Sequence, residues 1–340
     1  MRKTRRILYI GEETGTSLHR ANALRRLGHQ VKVIWPERIV GMNRLVDKWA
    51  WHTGGLFLEG LLRRRVMALD VDADLALVDS GALVGPSLVA DLKKRFGTVI
   101  NFNVDDPFGP RDGQRWRLYL KAVPVYDMLV VVRPENVDEA IAHGAKKVMH
   151  VFRAADEVAH SPGTVDDSAR LRWSSEVSFI GTWMPERGPF FADLVAQGIP
   201  LSLYGDRWEQ AREWRVLKAF RRGPALSGSD YRDAIKYSKI CIGLVSKGNR
   251  DLHTQRSIEI PYIGSLLCAQ RTSEHLAMYK EGEEAVFWED SSECADVCRG
   301  LLADDARRAR IALNGQRRAI RDGNLNEPLM ERVLRAIHEP

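Results

Sequence analysis

RRILYIGEETGTSLHRANALRRLGHQVKVIWP, residues 5–36, reads as strand, helix, strand. An apolar run ends in Gly11, and a polar loop follows. Leu18, Ala21, Leu24 and Leu27 then recur every third residue and so share one helical face. Gly28 is placed to stop that helix, because glycine tolerates the left-handed conformation helix ends adopt. QVKVIWP is the second strand. A β-α-β unit of about 30 residues is the building block of a parallel sheet.

Outward from this unit the alternation continues. Residues 43–69 read as helix interrupted at Gly54 and Gly55, rich in Trp, Leu and Arg. LALVD (75–79) is a strand, a helix is expected around 86–95, and TVINFNVDDP (98–107) is a strand running into a turn. MLVVV (128–132), a helix over 134–144 and KVMHVF (147–152) complete the first series. Residues 160–172, HSPGTVDDSARLR, have the polar, Pro/Gly-containing composition of a linker. A second series follows: EVSFIG (176–181), a helix over 187–198, PLSLYG (200–205), a helix over 229–239 with Ser229 as its cap, then ICIGLV (240–245). RSIEIPYIG (256–264) begins a helix that Pro261 must delay or kink. SLLCAQ and AVFWED (285–290) are strands, and the tail is helical. Apolar strands interleaved with helices suit sheets covered on both faces.

The expected fold is therefore α/β, two Rossmann-like doubly wound domains facing across a cleft. The boundaries are 1–160, 173–325 and a C-terminal helix, 326–340, packing back on the first domain. Length agrees, since 340 residues is about two domains' worth. Open α/β sheets bind ligands beyond the carboxyl ends of their strands.

Charge is uneven. Residues 1–65 hold 14 Lys or Arg against 5 Asp or Glu, while the remaining 275 hold 37 against 40. The excess is either a solvated face or an attraction to an anionic partner. No apolar run reaches the roughly 18 residues of a membrane span, and the N-terminus lacks the apolar stretch of a secretory signal. The expected location is cytoplasmic.

Most catalytic signatures are absent: no GxSxG, HExxH or GxxxxGK[ST] occurs, and the first turn, GEETG (11–15), lacks the GxGxxG spacing of dinucleotide sites. Cys294 and Cys298 share a helix face without a companion pair, so no metal site is expected. Asp105 and Asp106 follow a strand on the ligand side, or else form a turn before Pro107. Residues 246–268 concentrate Arg250, Asp251, His253, Arg256 and Glu259 between two strands. A helix start there would offer free N–H groups. Arg256 suits a diphosphate through paired hydrogen bonds, and Glu259 could accept from two ribose hydroxyls. Trp208, Trp214 and Phe220 lie among Arg212, Arg215, Lys218, Arg221 and Arg222, but at helical spacing such aromatics are core residues, and no nucleic acid is expected as partner.

SFIGTWMPERGPFFADL (178–194), LSLYGDRW (201–208), DLHTQRSIEIPYIGSLLCAQ (251–270) and residues 287–318 together resemble the spore-maturation type (CgeB-like) of glycosyltransferase, which has the GT-B fold. RSIEIPYIG resembles that family's R-x-F-E-x-x-x-x-G, with Ile258 in place of the aromatic. VDDPFG (104–109) adds a weaker likeness in the first half. The resemblance implies a nucleotide diphosphate sugar as co-substrate, with no cofactor and no metal, and a C-terminal donor domain. It implies that Gly181, Thr182, Arg187, Tyr204, Gly205, His253, Arg256 and Glu259 line the donor site. Related retaining enzymes carry E-x7-E; Asp251 and Glu259 have that spacing, which places Asp251 near the donor sugar and leans toward retention. An acceptor base would come from Glu12, Glu13, His19, Asp105 or Asp106, with Asp106 and Glu13 preferred. The acceptor is an unidentified glycan, protein or lipid-linked molecule. The basic residues 1–65 add an expected peripheral contact with the inner membrane surface. The alternative is a non-catalytic sugar-nucleotide-binding module of the same fold.

Overall fold

The computed structural model describes residues 4–337, so Arg2 and Lys3 of the basic beginning lie outside the described residues. The chain divides into two compact units. The first runs up to Arg153 and also takes in Ser246–Asp251 and the segment from Asn326 onward. The second is Ala154–Val245 with Leu252–Leu325.

The first unit is a single parallel sheet. Its elements are β1 (Arg6–Ile10), α1 (Gly15–Arg26), β2 (Gln30–Ile34), α2 (Pro36–Val40), α3 (Arg44–Thr53), α4 (Leu58–Met67) and β3 (Leu75–Asp79). There follow α5 (Pro86–Phe96), β4 (Val99–Asn103), α6 (Arg117–Ala122), β5 (Met128–Val131), α7 (Glu135–Ala142) and β6 (Val148–His150). The order is β2-β1-β3-β4-β5-β6, every pair parallel. β3 and β4 are buried along their whole length, which is why they read as continuous apolar runs. Gly54 and Gly55 break the 43–69 stretch into α3 and α4, both glycines having positive φ.

The second unit repeats the plan. It contains α8 (Asp167–Trp173), β7 (Ser175–Ile180), α9 (Arg187–Ala196), β8 (Leu201–Tyr204), α10 (Trp214–Leu217), β9 (Arg221–Gly223) and α11 (Gly228–Lys236). Then come β10 (Ser238–Gly243), α12 (Arg256–Ile263), β11 (Leu266–Gln270), α13 (Ser273–Met278), β12 (Val286–Trp288), α14 (Ser291–Leu302) and α15 (Asp305–Arg321). The order is β12-β11-β10-β7-β8-β9, again parallel throughout. The last helix, α16 (Asn326–Ala336), belongs to the first unit, where Arg26 of α1 pairs with Glu327 at 2.5 Å.

Three local readings change. Part of the stretch read as a linker is α8, because Asp166 caps it by accepting from the N–H groups of Ser168 and Ala169. The 229–239 helix starts one residue early, at Gly228, with Ser227 rather than Ser229 at the cap position. Pro261 does not delay α12, which starts at Arg256 and runs through it to Ile263. A proline cannot donate to the carbonyl four residues back. That carbonyl, on Ser257, instead accepts the buried Tyr279 hydroxyl at 2.8 Å.

Candidate functional site

In the second sheet the chain builds β7, β8 and β9 in one direction, then returns to place β10 on the other side of β7. Successive crossovers diverge at that point and leave a crevice beyond the strand ends, where doubly wound sheets bind ligands. Arg256, the first residue of α12, lies there. It lines a small void with Ser178 and Ile180 of β7 and Cys241 and Ile242 of β10. Its Nε is buried without a hydrogen-bond partner, and among the described residues Arg256 forms no ion pair. Buried donors are almost always satisfied, so this Nε makes the half-buried Arg256 a candidate ligand contact.

One turn further along α12, Glu259 is buried; its carboxylate accepts the Tyr231 hydroxyl and pairs with His160 Nε2 at 3.3 Å. Burial and then the Glu259 charge hold the Tyr231 hydroxyl well above its ordinary range, so it stays a donor. The N–H groups at the start of α12 are not free as expected. Ser257 donates to the Thr254 carbonyl at 3.1 Å and Ile258 to that of Gln255 at 3.2 Å. At this end of α12 the Arg256 Nε is the buried donor left without a partner.

The glycines at the β7 and β8 ends are close-packed. Gly205, at φ +145°, lies against the Gly181 carbonyl so tightly that no Cβ fits. That carbonyl also accepts the Trp208 indole N–H at 3.0 Å. Arg187 is buried and turns inward, donating to the Thr182 carbonyl at 2.6 Å with its guanidinium over the Phe179 ring. It braces the loop after β7. Tyr204 is buried against Trp173 and walls a cavity of about 360 Å³ shared with Arg222 and the 223–227 loop. His253 is fully buried, with Nδ1 2.6 Å from Glu274, and anchors the approach to α12.

Asp251 does not share an element with Glu259. It belongs to the first unit, buried between Arg133 and Arg153, the latter at 3.1 Å. Asp106 is in the same network: Arg250 grips both its oxygens at 2.7 Å, and Asn136 donates at 2.9 Å. Burial opposes ionisation there, but the bonds from Arg250 and Asn136 outweigh it and hold the carboxyl below the usual range. Glu139 completes the Arg250 clamp at 2.8 Å. Glu13 makes a surface pair with Arg38 at 2.8 Å. Glu12 differs. It follows β1, at the point where the first sheet also reverses its winding, between β1 and β3. Desolvation, then the charges of Asp79 and Asp105, push its carboxyl up. The periodicity of the chain carried no sign of this contrast, because it depends on which neighbours pair.

Cys294 and Cys298 do have a companion. Cys268 of β11 joins them, the three sulfurs within 4.8 Å of one another and all buried. Such a set has the ligand chemistry of a soft metal ion. The signal missed was Cys268, distant in sequence but on a strand under α14. Trp208 is core, packed on Phe179 and Phe191; Trp214 and Phe220 lie against the same core.

Residues 187–334 match a family model described as glycosyl transferase-like. No curated protein matches the sequence. Among solved structures, the chain is similar to sucrose-phosphate synthase from Thermosynechococcus elongatus, at 11% identity and a TM-score of 0.72, covering 98% of this chain and 99% of that one. It is similar to Anabaena Alr3699/HepE in complex with UDP and glucose, at 12% identity and TM-score 0.68, over 98% and 100% of the two chains. A trehalose-6-phosphate protein from E. coli bound with UDP-2-fluoro glucose matches at 12% identity and TM-score 0.64, over 98% and 99%. The fold is the GT-B fold, two parallel six-stranded sheets with helices. No helix among the described residues is long and apolar enough to cross a membrane.

Proposed function

We propose that this chain transfers a sugar from a nucleotide diphosphate sugar to an acceptor, the donor bound by the second unit and the acceptor by the first. The observation that carries the reading is Arg256: an unpaired guanidinium at the switch point of the sheet, inside the glycosyltransferase-like domain. Its charge would meet the diphosphate and stabilise it as it leaves, so the chemistry is electrostatic and needs no metal. Glu259, oriented by Tyr231 and His160, would take the ribose hydroxyls. Tyr204 and Gly205 would border the base, with Gly181, Thr182, Arg187 and His253 holding the loops around the donor. Among the similar solved structures, the HepE complexes contain UDP, UDP with glucose, or UDP-glucose, which makes a uridine nucleotide the first probe.

On the acceptor side we assign Asp106 and Asp251, both held in ion pairs, to positioning rather than proton transfer, and Glu13, paired with Arg38, to the surface. Glu12 is the carboxylate we assign to the acceptor proton if transfer needs a base. The spore-maturation likeness and the E-x7-E-like spacing favour retention; the product anomer, read by NMR, tests it. The basic segment 1–65 is proposed to contact the cytoplasmic face of a membrane peripherally.

The deciding experiment is a thermal-shift screen of nucleotides and sugar nucleotides followed by transfer assays. A ligand at 100 times its dissociation constant adds about 2.7 kcal/mol of stability. Glu259→Gln should raise the donor's apparent KM. Binding without turnover would return the chain to a sugar-nucleotide-binding module, and no binding by any nucleotide would overturn the donor reading.

A further inference from the structure

Exposed large apolar residues cluster at one place in the first unit. Leu45, Trp49, Leu56 and Phe57 all lie on α3 or the turn joining it to α4, and Leu45 and Phe57 are more than four-fifths exposed, at 81% and 82%. Leu45 and Trp49 are one turn apart and so share a face of α3. Trp49 and Phe57 stack with ring centroids 6.4 Å apart. The opposite side is fixed to the unit: Ala50, Leu62 and Val66 are buried, and Gly54 sits so close to the Gln114 carbonyl and Arg117 that no Cβ fits. The tip is therefore held outward by a packed base.

Phe57 is costly twice over. It exposes an aromatic ring, and its backbone is left-handed at φ +68°, a region that disfavours every side chain but glycine's close substitutes. Stability alone would place Gly there. The charges beside it are mostly positive. Residues 43–65 carry five Lys or Arg against two Asp or Glu. Arg44, Lys48 and Arg64 are exposed and form no ion pair among the described residues. Elsewhere in the basic segment several cations are engaged: Arg6 with Asp72 and Asp74, Arg20 with Asp79, Arg38 with Glu13.

We infer that the α3–α4 hairpin docks on an anionic lipid surface, with Leu45, Trp49 and Phe57 entering the interface and Arg44, Lys48 and Arg64 meeting lipid headgroups. Aromatic and aliphatic side chains enter the boundary between headgroups and acyl chains, while a basic rim supplies attraction that salt screens. This inference rests on the peripheral contact proposed for residues 1–65 and narrows it to one hairpin. It does not depend on the donor reading.

The test is co-sedimentation of the full chain with phosphatidylcholine vesicles, with and without phosphatidylglycerol, in the absence of any nucleotide. Binding is expected only to the anionic vesicles and should weaken as salt rises from about 0.05 to about 0.5 M. Leu45→Ser with Trp49→Ser, and separately Phe57→Gly, should each weaken it, the double variant by at least about tenfold. Phe57→Gly relieves the left-handed strain, so its melting temperature should hold or rise, which separates lost binding from lost folding. A wild-type chain that ignores anionic vesicles at low salt overturns the membrane contact of residues 1–65 altogether. Wild-type binding that survives both variants overturns the hairpin alone. Self-association abolished by the same substitutions, with no vesicle binding, assigns the patch to a second copy instead.

Discussion

The two units share a sheet plan and differ in how they pair the arginines near their strand ends. At the strand ends of the first, Arg20 meets Asp79 at 2.8 Å, and Arg133 and Arg153 both meet Asp251. At the switch point of the second, Arg256 meets no carboxylate. Arg256 is only half-buried, so solvent carries much of its charge, but its Nε is buried and without a partner. The paired arginines are explained by their own unit, whereas the Arg256 Nε is left open. The contrast is what supports assigning the proposed donor diphosphate to Arg256.

The largest effect should come from breaking a pair in the first unit. Arg20→Met leaves the Asp79 carboxylate buried with only the Tyr9 hydroxyl, so unfolding free energy should fall by about 3–5 kcal/mol. Arg256→Met removes a charge that nothing in its unit balances, and its stability should change by no more than about 0.5 kcal/mol. Urea unfolding of both variants checks the difference. Equal losses would break the comparison at its root.

Acid should also separate the units. His275 is buried between the Ser257 hydroxyl, 2.7 Å from Nε2, and the Gln270 carbonyl, 2.6 Å from Nδ1. Burial first pushes its pKa down to about 4. The unfolded chain takes a proton at about 6.5 while the folded one refuses it. Its contribution is therefore full above about pH 6.5 and declines as pH falls toward 4, by on the order of 3 kcal/mol. Asp106 in the first unit is held low, so its contribution persists until pH falls below the ordinary Asp value of about 3.9. On acidification the second unit should soften first. Melting curves between pH 7 and pH 4, with His275→Gln flattening the trend, would show it.

The next effect is on binding. Arg256→Ala should weaken nucleotide affinity by about 1.5–3 kcal/mol, roughly 10- to 150-fold, as expected for lost charged hydrogen bonds to phosphate. Titration calorimetry with UDP measures it. Arg187→Ala, whose guanidinium bonds its own loop at Thr182, should lose folding stability as well. A purely affinity-based loss at Arg187 would move that residue into the donor site.

Periodicity and glycine placement made most of the elements legible. β3 matches LALVD residue for residue, and Gly54 and Gly55 break the 43–69 helix where glycine predicts. The short β9 escaped because Arg221–Gly223 has no apolar run to announce it. At the site, residue type singled out Arg256 and Glu259, since their chemistry is local to one helix. It could not separate Asp106 and Asp251 from free carboxylates. Their partners Arg250, Asn136, Arg133 and Arg153 are brought to them by chain packing rather than by spacing. Cys268 joined Cys294 and Cys298 for the same reason.

The smallest effect asks what holds α12, and with it Arg256, in place. The first unit fixes its strand ends with arginine–carboxylate pairs; the second braces α12 with tyrosine hydroxyls, Tyr231 to the Glu259 carboxylate and Tyr279 to the Ser257 carbonyl at 2.8 Å. Tyr279→Phe leaves that carbonyl unsatisfied next to Pro261 and should cost about 1 kcal/mol. Pro261→Ala restores an N–H that can reach the same carbonyl along the helix. In that background the cost of Tyr279→Phe should shrink, and the two substitutions should be coupled in a double-mutant cycle. Independent, additive losses would mean that α12 is held by its apolar packing and not by this hydroxyl. The second unit would then lack the polar bracing that sets it beside the first.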